Sequence, residues 1–175
     1  MGLSVLLGGA RCGKSELSAR SASASGRPVV VIVTGEGRDD EMTERIRRHR
    51  ASRPSSWETV EATLAVSGAV RELEPEAFAV LDCLTLWVSN EIEAGFNDDE
   101  IVDEAREIAT TLAERVAPSV VVTNEVGLGI VPMNELARRY RDTLGRVNAA
   151  FVSEADRAFL VVAGRAVPLE DVTLT

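Results

Sequence analysis

The chain has 175 residues, 45% of them hydrophobic and 27% charged, which is ordinary for a globular protein that folds as a single domain, 1–175. Its net charge of −9 argues against nucleic acid as a partner, and no apolar run approaches the roughly 18 residues that span a membrane. Two cysteines supply neither a disulfide framework nor a metal cluster, and no signal peptide is visible, so we expect a cytoplasmic protein.

A phosphate-binding loop follows the first predicted strand, 3–7. Residues 8–15 fit the pattern G-x-x-x-x-G-K-[ST], and a helix is predicted at 13–24. The backbone N–H groups and the helix dipole would attract phosphate, Lys14 would reach the β and γ phosphates, and the Ser15 hydroxyl would bind Mg²⁺. The alternative is a glycine-rich turn that arises by chance. The eight residues are Gly8, Gly9, Ala10, Arg11, Cys12, Gly13, Lys14 and Ser15.

Apolar strands and amphipathic helices alternate along the rest of the chain. Strands are predicted at 29–33, 57–61, 78–82, 120–123 and 159–162, with an edge piece at 166–169. Helices are predicted from about 39 onwards and at 63–73, 84–94, 99–116 and 133–154. The helix 99–116 carries apolar residues at helical spacing, namely Ile101, Ala105, Ile108, Leu112 and Val116. The alternation predicts an α/β sandwich of three layers around a mostly parallel sheet, with ligands at the carboxyl ends of the strands.

Two acidic residues follow predicted strands at that edge. Asp82 ends the strand 78–82 and is the expected carboxylate partner of the phosphate loop, holding Mg²⁺. The alternative is that Asp82 caps the following helix. Glu125 follows the strand 120–123, where it could be a second magnesium ligand or a base for a substrate hydroxyl. The alternative for Glu125 is a capping residue in a surface turn.

The only histidine, His49, lies in an arginine-rich segment, 45–53, of this acidic chain. An imidazole can attack phosphorus and carry a covalent intermediate, and arginines bind phosphate oxygens in pairs. The alternative is a packed histidine on an apolar helix face beside Met42 and Ile46, with the arginines forming a solvated face.

Together these motifs resemble one family, the bifunctional adenosylcobinamide kinase/adenosylcobinamide-phosphate guanylyltransferases of cobalamin biosynthesis. The resemblance covers nearly the whole chain. It rests on segments 8–15, 40–42, 45–46, 53–54, 123–132 and 145–148, together with His49 and Trp57. Three departures are that Cys12 stands where the family usually has serine, Met133 where an acid is common, and Ala149 where a polar residue is frequent.

The resemblance implies a RecA-like P-loop fold and two reactions that use ATP or GTP with Mg²⁺. A γ-phosphate passes to the hydroxyl of adenosylcobinamide, and GTP then gives GMP to adenosylcobinamide phosphate through the histidine that matches His49. It also implies a homotrimer. The nucleotide site implied beyond the loop comprises Thr34, Gly35, Glu36, Arg50, Ala51, Ser52, Arg53, Glu61 and Asp82. The alternatives are a P-loop kinase for another small molecule, with His49 structural, and a nucleotide-binding regulatory module without turnover.

Overall fold

Seven strands form one sheet in the computed structural model. It describes residues 2–37, 40–51 and 53–172, apart from the side chains of Glu41, Met42, Arg45 and His49. The strands are β1 (Leu3–Gly8), β2 (Val29–Val33), β3 (Glu58–Glu61), β4 (Phe78–Asp82), β5 (Ser119–Val122), β6 (Arg157–Val162) and β7 (Arg165–Leu169). Their order is β3-β2-β4-β5-β1-β6-β7, and every pairing is parallel except that of β6 with β7.

Helices cover both faces of the sheet. They are α1 (Lys14–Ala24), α2 (Asp40–Ala51), α3 (Val66–Arg71), α4 (Leu84–Ala94), α5 (Asp98–Ala113) and α6 (Glu135–Glu154). Helix α1 packs on one face over β1, β4 and β5, while α3 to α6 contribute to a larger apolar core on the other. This confirms the predicted α/β sandwich. Among the described residues, no helix has the length and apolar character needed to cross a membrane.

Alternating side chains along each strand divide the sheet between two cores. In β2, Val30 and Ile32 face the core formed by α3 to α6, whereas Val29 and Val31 face the smaller core beside α1. All four are nearly inaccessible to water. A strand buried on both faces reads as a continuous apolar run, which is why these segments were recognisable from sequence.

The helix predicted at 99–116 ends early, at Ala113. Four of its five apolar positions are buried, but Val116 is 61% exposed, so its assignment to the buried stripe is wrong. The chain leaves the helix here because the preceding residue, Arg115, donates to the carbonyl oxygens of Leu73, Glu74 and Ala77. These bonds across 38 to 42 positions tie the turn before β5 to the turn before β4, and helical periodicity carries no information about them.

Two buried asparagines position the loops at the carboxyl edge of the sheet. Asn90 of α4 donates to the carbonyl of Thr34 at 2.8 Å and to that of Thr63 at 3.0 Å. Asn148 of α6 donates to the carbonyl of Asn124 at 3.0 Å. Helices α4 and α6 therefore fix the backbone immediately after β2, β3 and β5. Hydrogen-bonded polar groups at such depth favour one arrangement of the backbone, because leaving any of them unpaired is costly.

Glu91 is a carboxyl group buried within the large core, only 1% exposed. Burial raises its pKa to about 7, the nearby charge of Glu104 adds to the rise, and the indole of Trp87 opposes it. In the unfolded chain the pKa of the group is near its ordinary value of 4.5. Between these values the folded protein holds a proton that the unfolded chain has released. The contribution of Glu91 to the unfolding free energy therefore falls as pH rises from 4.5 to 7 and stays low above.

We expect Glu91→Gln to remove this pH-dependent loss of unfolding free energy, because the amide has the shape of the carboxyl group and carries no charge. The variant should gain stability over wild type as pH rises, reaching about 3 kcal/mol at pH 8. Urea denaturation between pH 5 and 8 measures the difference, with Glu154→Gln at an exposed site as the control. A difference that is constant across this range would contradict the account.

Candidate functional site

The loop that joins β1 to α1 is shaped by glycines. Gly8 has φ +153°, and a Cβ there would lie 2.4 Å from the carbonyl oxygen of Val161. Gly13 has φ +103°, and a Cβ there would lie 2.9 Å from the Cα of Gly164 in the turn between β6 and β7. Both positions exclude a side chain, on conformation and on space. The motif glycines are thus required by the contact of the loop with β6 and the turn after it.

Lys14 is buried against the inside of this loop. Its Nζ donates to the carbonyls of Gly8 at 2.9 Å and Gly9 at 2.7 Å, and lies 3.5 Å from the sulfur of Cys12. Two backbone bonds hold the loop from other sides: the N–H of Glu125 donates to the Gly8 carbonyl and that of Gly164 to the Cys12 carbonyl. The loop is therefore fixed by α1, by the chain after β5 and by the β6–β7 turn.

A cleft of about 600 Å³ opens beside the loop at the carboxyl edge of the sheet. It is lined by residues from the loop, from the ends of β2 to β5 and from α2. Among the described lining residues five are cationic and three are acidic, in a chain whose net charge is −9. The cationic ones are Arg11, Lys14, Arg48, Arg50 and Arg53. Such a concentration of positive charge in an acidic protein favours an anionic ligand such as a triphosphate.

Two ion pairs cross the cleft. Arg53 donates to Oδ2 of Asp82 at 3.0 Å, and both side chains are largely buried. Arg50 and Glu61 lie 3.7 Å apart and are exposed, so their attraction is weak. The interpretation of Asp82 as a helix cap is wrong, because the cap position of α4 is Cys83 and the Asp82 carboxylate accepts from Arg53.

The structure brings many of the predicted site residues to this cleft. They are Ala10, Arg11, Cys12, Gly13, Lys14, Ser15, Gly35, Arg50, Arg53, Glu61 and Asp82. The carbonyls of Gly8 and Gly9 accept hydrogen bonds from Lys14, but these two glycines do not line the cleft. Glu36 and Ala51 do not line it either. Ser52 lies outside the described residues.

Thr34 and Glu125 make contacts that the sequence did not indicate. The fully buried hydroxyl of Thr34 donates to the carbonyl of Cys83 at 2.7 Å and accepts from its N–H at 3.1 Å. Thr34 thus joins the ends of β2 and β4 and does not line the cleft. The Glu125 carboxylate accepts from the N–H of Gly127 at 2.6 Å, as a residue that caps a turn does.

His49 belongs to α2, but its side chain lies outside the part of the structure that is described. The helix backbone places position 49 three residues after Ile46, on the same helix face. Ile46, Arg48 and Arg50 all line the cleft. The segment that carries the histidine therefore borders the same cleft as the phosphate loop.

Thr59 and Leu86 are among the lining residues that sequence reasoning missed. Thr59 lies two positions before Glu61 on β3, so strand alternation places both on one face and could have identified it. Leu86 is an ordinary apolar residue near the start of α4, and nothing local distinguishes it from a core leucine.

The oxygen donors of the cleft fit Mg²⁺. Ser15 and Asp82 both line it, and magnesium in phosphate sites commonly takes one or two protein oxygens together with phosphate and water. No group of three or more His, Cys, Asp or Glu residues able to enclose a metal occurs in the described part of the chain. The donor set therefore suits an ion that is shared with a nucleotide, in contrast to a metal that the protein encloses by itself.

The strand–loop–helix unit and the sheet order define a P-loop nucleotide-binding fold. The ATPase EscN of the enteropathogenic E. coli type III secretion system superposes with a TM-score of 0.59 at 9% identity, over 93% of this chain and 43% of that one. The RadB recombinase superposes with a TM-score of 0.52 at 13% identity, over 91% of this chain and 73% of that one. These likenesses show the fold alone and confirm the RecA-like P-loop prediction.

Sequence comparison identifies the family. The pattern described as "Cobinamide kinase / cobinamide phosphate guanyltransferase" matches residues 4–169. The bifunctional adenosylcobalamin biosynthesis protein CobP of Pseudomonas aeruginosa is 41% identical over 168 residues, 95% of this chain and 96% of that protein. The bifunctional adenosylcobalamin biosynthesis protein CobU of Salmonella typhimurium is 37% identical over 179 residues, 95% of this chain and 98% of that protein. The chain belongs to the cobinamide kinase/cobinamide phosphate guanyltransferase family, as the resemblance implied.

The two cysteines of the cleft differ in how readily they should react. Burial, and next the charge of Asp82, raise the pKa of Cys83, which keeps it in the unreactive thiol form. We expect iodoacetamide to label Cys12 before Cys83, and saturating GTP to slow that labelling, because the phosphates would cover the loop. Peptide mass spectrometry measures both rates, and Cys12→Ser is the control. Labelling of Cys12 that GTP leaves unchanged, or that spares activity, would contradict a nucleotide over this loop.

Proposed function

We propose that this chain phosphorylates adenosylcobinamide and then transfers GMP from GTP to the product, giving adenosylcobinamide-GDP. Family membership supports both reactions. The observation that carries the proposal is that one cleft is bordered by the phosphate loop and by the arginine-rich helix that bears His49. A kinase alone would require the loop, whereas guanylyl transfer also requires groups at the α-phosphate.

In the kinase step, the substrate hydroxyl oxygen attacks the γ-phosphorus of ATP or GTP. A P–O bond forms, the bond to the β-phosphate oxygen breaks, and the nucleoside diphosphate leaves with that electron pair. Lys14 would exchange the carbonyls of Gly8 and Gly9 for β- and γ-phosphate oxygens. In this proposal the Glu125 carboxylate exchanges the Gly127 N–H for the substrate hydroxyl and takes its proton.

Magnesium would be held by the Ser15 hydroxyl and the Asp82 carboxylate, where its charge would neutralise phosphate oxygens. The same carboxylate accepts from Arg53. Arg53 is therefore already placed beside the region where phosphate charge would gather, and it could pair with a phosphate oxygen as well as with Asp82.

In the guanylyl step, an imidazole nitrogen of His49 attacks the α-phosphorus of GTP. A P–N bond forms and pyrophosphate leaves. A phosphate oxygen of adenosylcobinamide phosphate then attacks the same phosphorus, and the P–N bond breaks to restore the histidine. Arg48 and Arg50 flank position 49 and line the cleft, which supports a role in stabilising the charge on the phosphates.

A homotrimer in the cytoplasm completes the proposal. The trimer and the location rest on the family resemblance and on the sequence. Size-exclusion chromatography with light scattering measures the number of chains in the assembly.

Labelling with GTP that carries radioactive phosphorus in the α position tests the proposal most directly. We expect a covalent label on wild type that is stable to base and released by acid, and no label on His49→Ala. Arg47→Ala is the matched control: it lies on the same helix, its side chain is exposed and pairs with Glu44, and it does not line the cleft. This control should label like wild type.

The outcomes also separate the alternatives. Absence of label together with phosphorylation of a small molecule would favour a P-loop kinase in which His49 is structural. GTP binding with neither reaction would favour a regulatory module. A label that persists in His49→Ala would contradict the role assigned to this histidine.

A further inference from the structure

Five bulky apolar side chains are exposed close together in the chain after β5. Ile130 is 98% exposed and Met133 97% exposed. Single exposed apolar residues are normal on a protein surface, whereas a run of them points to something that covers it. We call this set the apolar rim, and it consists of Leu128, Ile130, Val131, Met133 and Leu136.

The apolar rim follows a segment of the chain that reaches the nucleotide cleft. Asn124 lines the cleft, and the N–H of Glu125 donates to the Gly8 carbonyl of the phosphate loop at 3.1 Å. Leu128 comes three residues later, so its Cα lies within about 15 Å of that carbonyl even if the chain is fully extended. The rim and the phosphate loop are therefore joined by a short, anchored piece of backbone.

The rim is also anchored at its far end. The Arg138 guanidinium donates to the carbonyls of Pro132 at 3.0 Å and Met133 at 2.6 Å. The Asn134 side chain caps α6 by accepting from the N–H of Ala137. These bonds hold the backbone that carries Ile130 and Met133 between β5 and α6. The exposure is thus a property of an anchored segment, which is what a binding surface requires.

The α2 side of the cleft has a different character. Arg48 and Arg50 are largely exposed there, beside Glu44. A macrocycle with apolar substituents would have to remove water from these charges, at a free-energy cost, if it lay on that side. On the apolar rim the same contact would release water from apolar surface and be favourable.

We propose that the apolar rim binds the corrin macrocycle of cobinamide while the alcohol arm of the same molecule enters the cleft. This rests on the proposed function. The corrin ring carries methyl groups on its periphery, which match an apolar surface. Its hydroxyl must reach the γ-phosphate at the loop, and the bulk of the ring must then lie outside the cleft, at its border. The apolar rim continues the backbone that is held at the Gly8 carbonyl.

The test compares cobinamide binding by wild type and rim variants, using the visible absorption of the corrin to measure the bound fraction in equilibrium dialysis. We expect the double variant Ile130→Ser with Met133→Ser to weaken cobinamide binding about tenfold, because two apolar contacts are lost. GTP binding should stay within twofold of wild type. In turnover, the KM for cobinamide should rise while the KM for the nucleotide does not.

Val131→Ser and Val116→Ser form a matched pair. The two valines are 60% and 61% exposed, but Val116 precedes β5 and so lies at the opposite edge of the sheet from the cleft. Only Val131→Ser should weaken cobinamide binding, several-fold. Equal cobinamide affinity in wild type and all rim variants would overturn the proposal.

Three further outcomes are decisive. A changed molar mass of the rim variants in light scattering, with or without a loss of binding, would assign the rim to contacts between copies of this chain and overturn the proposal. Wild type that binds GTP but neither binds nor phosphorylates cobinamide would contradict the proposed function itself, and the inference with it. Rim variants that bind cobinamide weakly, while wild type performs both reactions, would leave the proposed function intact and support the inference.

Discussion

The carbonyl of Gly8 is the point on which the site depends. It accepts the Lys14 ammonium at 2.9 Å and the backbone N–H of Glu125 at 3.1 Å, so α1 and the chain after β5 meet at one oxygen. Position 8 can carry no side chain, because a Cβ would lie 2.4 Å from the Val161 carbonyl. β1 lies between β5 and β6, and its end is held by both neighbours. The phosphate loop therefore has its shape from the fold, and its N–H groups need little further ordering to receive an anion.

The sequence predicted those parts of the structure that follow from local pattern. Buried strands read as apolar runs, and the loop motif has fixed spacing, so the sheet and the position of the cleft were recognisable. The directions of individual side chains were not recognisable from the sequence. Thr34 lies at the end of β2 as expected, yet its hydroxyl is turned inward to Cys83. The long-range bonds of Arg115 decide where α5 ends, and partners some 40 positions away leave no periodic trace in the sequence. Leu86 contributes to the cleft only because α4 follows β4 immediately.

Charge is distributed so that an acidic protein presents a cationic cleft. Arginines from the loop, from α2 and from the chain after it gather around the phosphate site, and one of them is neutralised by Asp82 at 3.0 Å. A P-loop by itself accounts for chemistry at the γ-phosphate. The arginines of α2 extend the positive region beyond the loop, which is what a second reaction, at the α-phosphate, would need. In this proposal the loop is a common cradle for both reactions, and the apolar rim on the other side receives the macrocycle of the substrate.

The central claim is that both reactions use one nucleotide site per chain. Equilibrium dialysis with a GTP analogue that resists cleavage at both the α and γ phosphates, in the presence of Mg²⁺, tests it most directly. We expect one analogue to bind per chain and to be displaced completely by the corresponding ATP analogue. Two analogues bound per chain, or a bound GTP analogue that the ATP analogue does not displace, would contradict it.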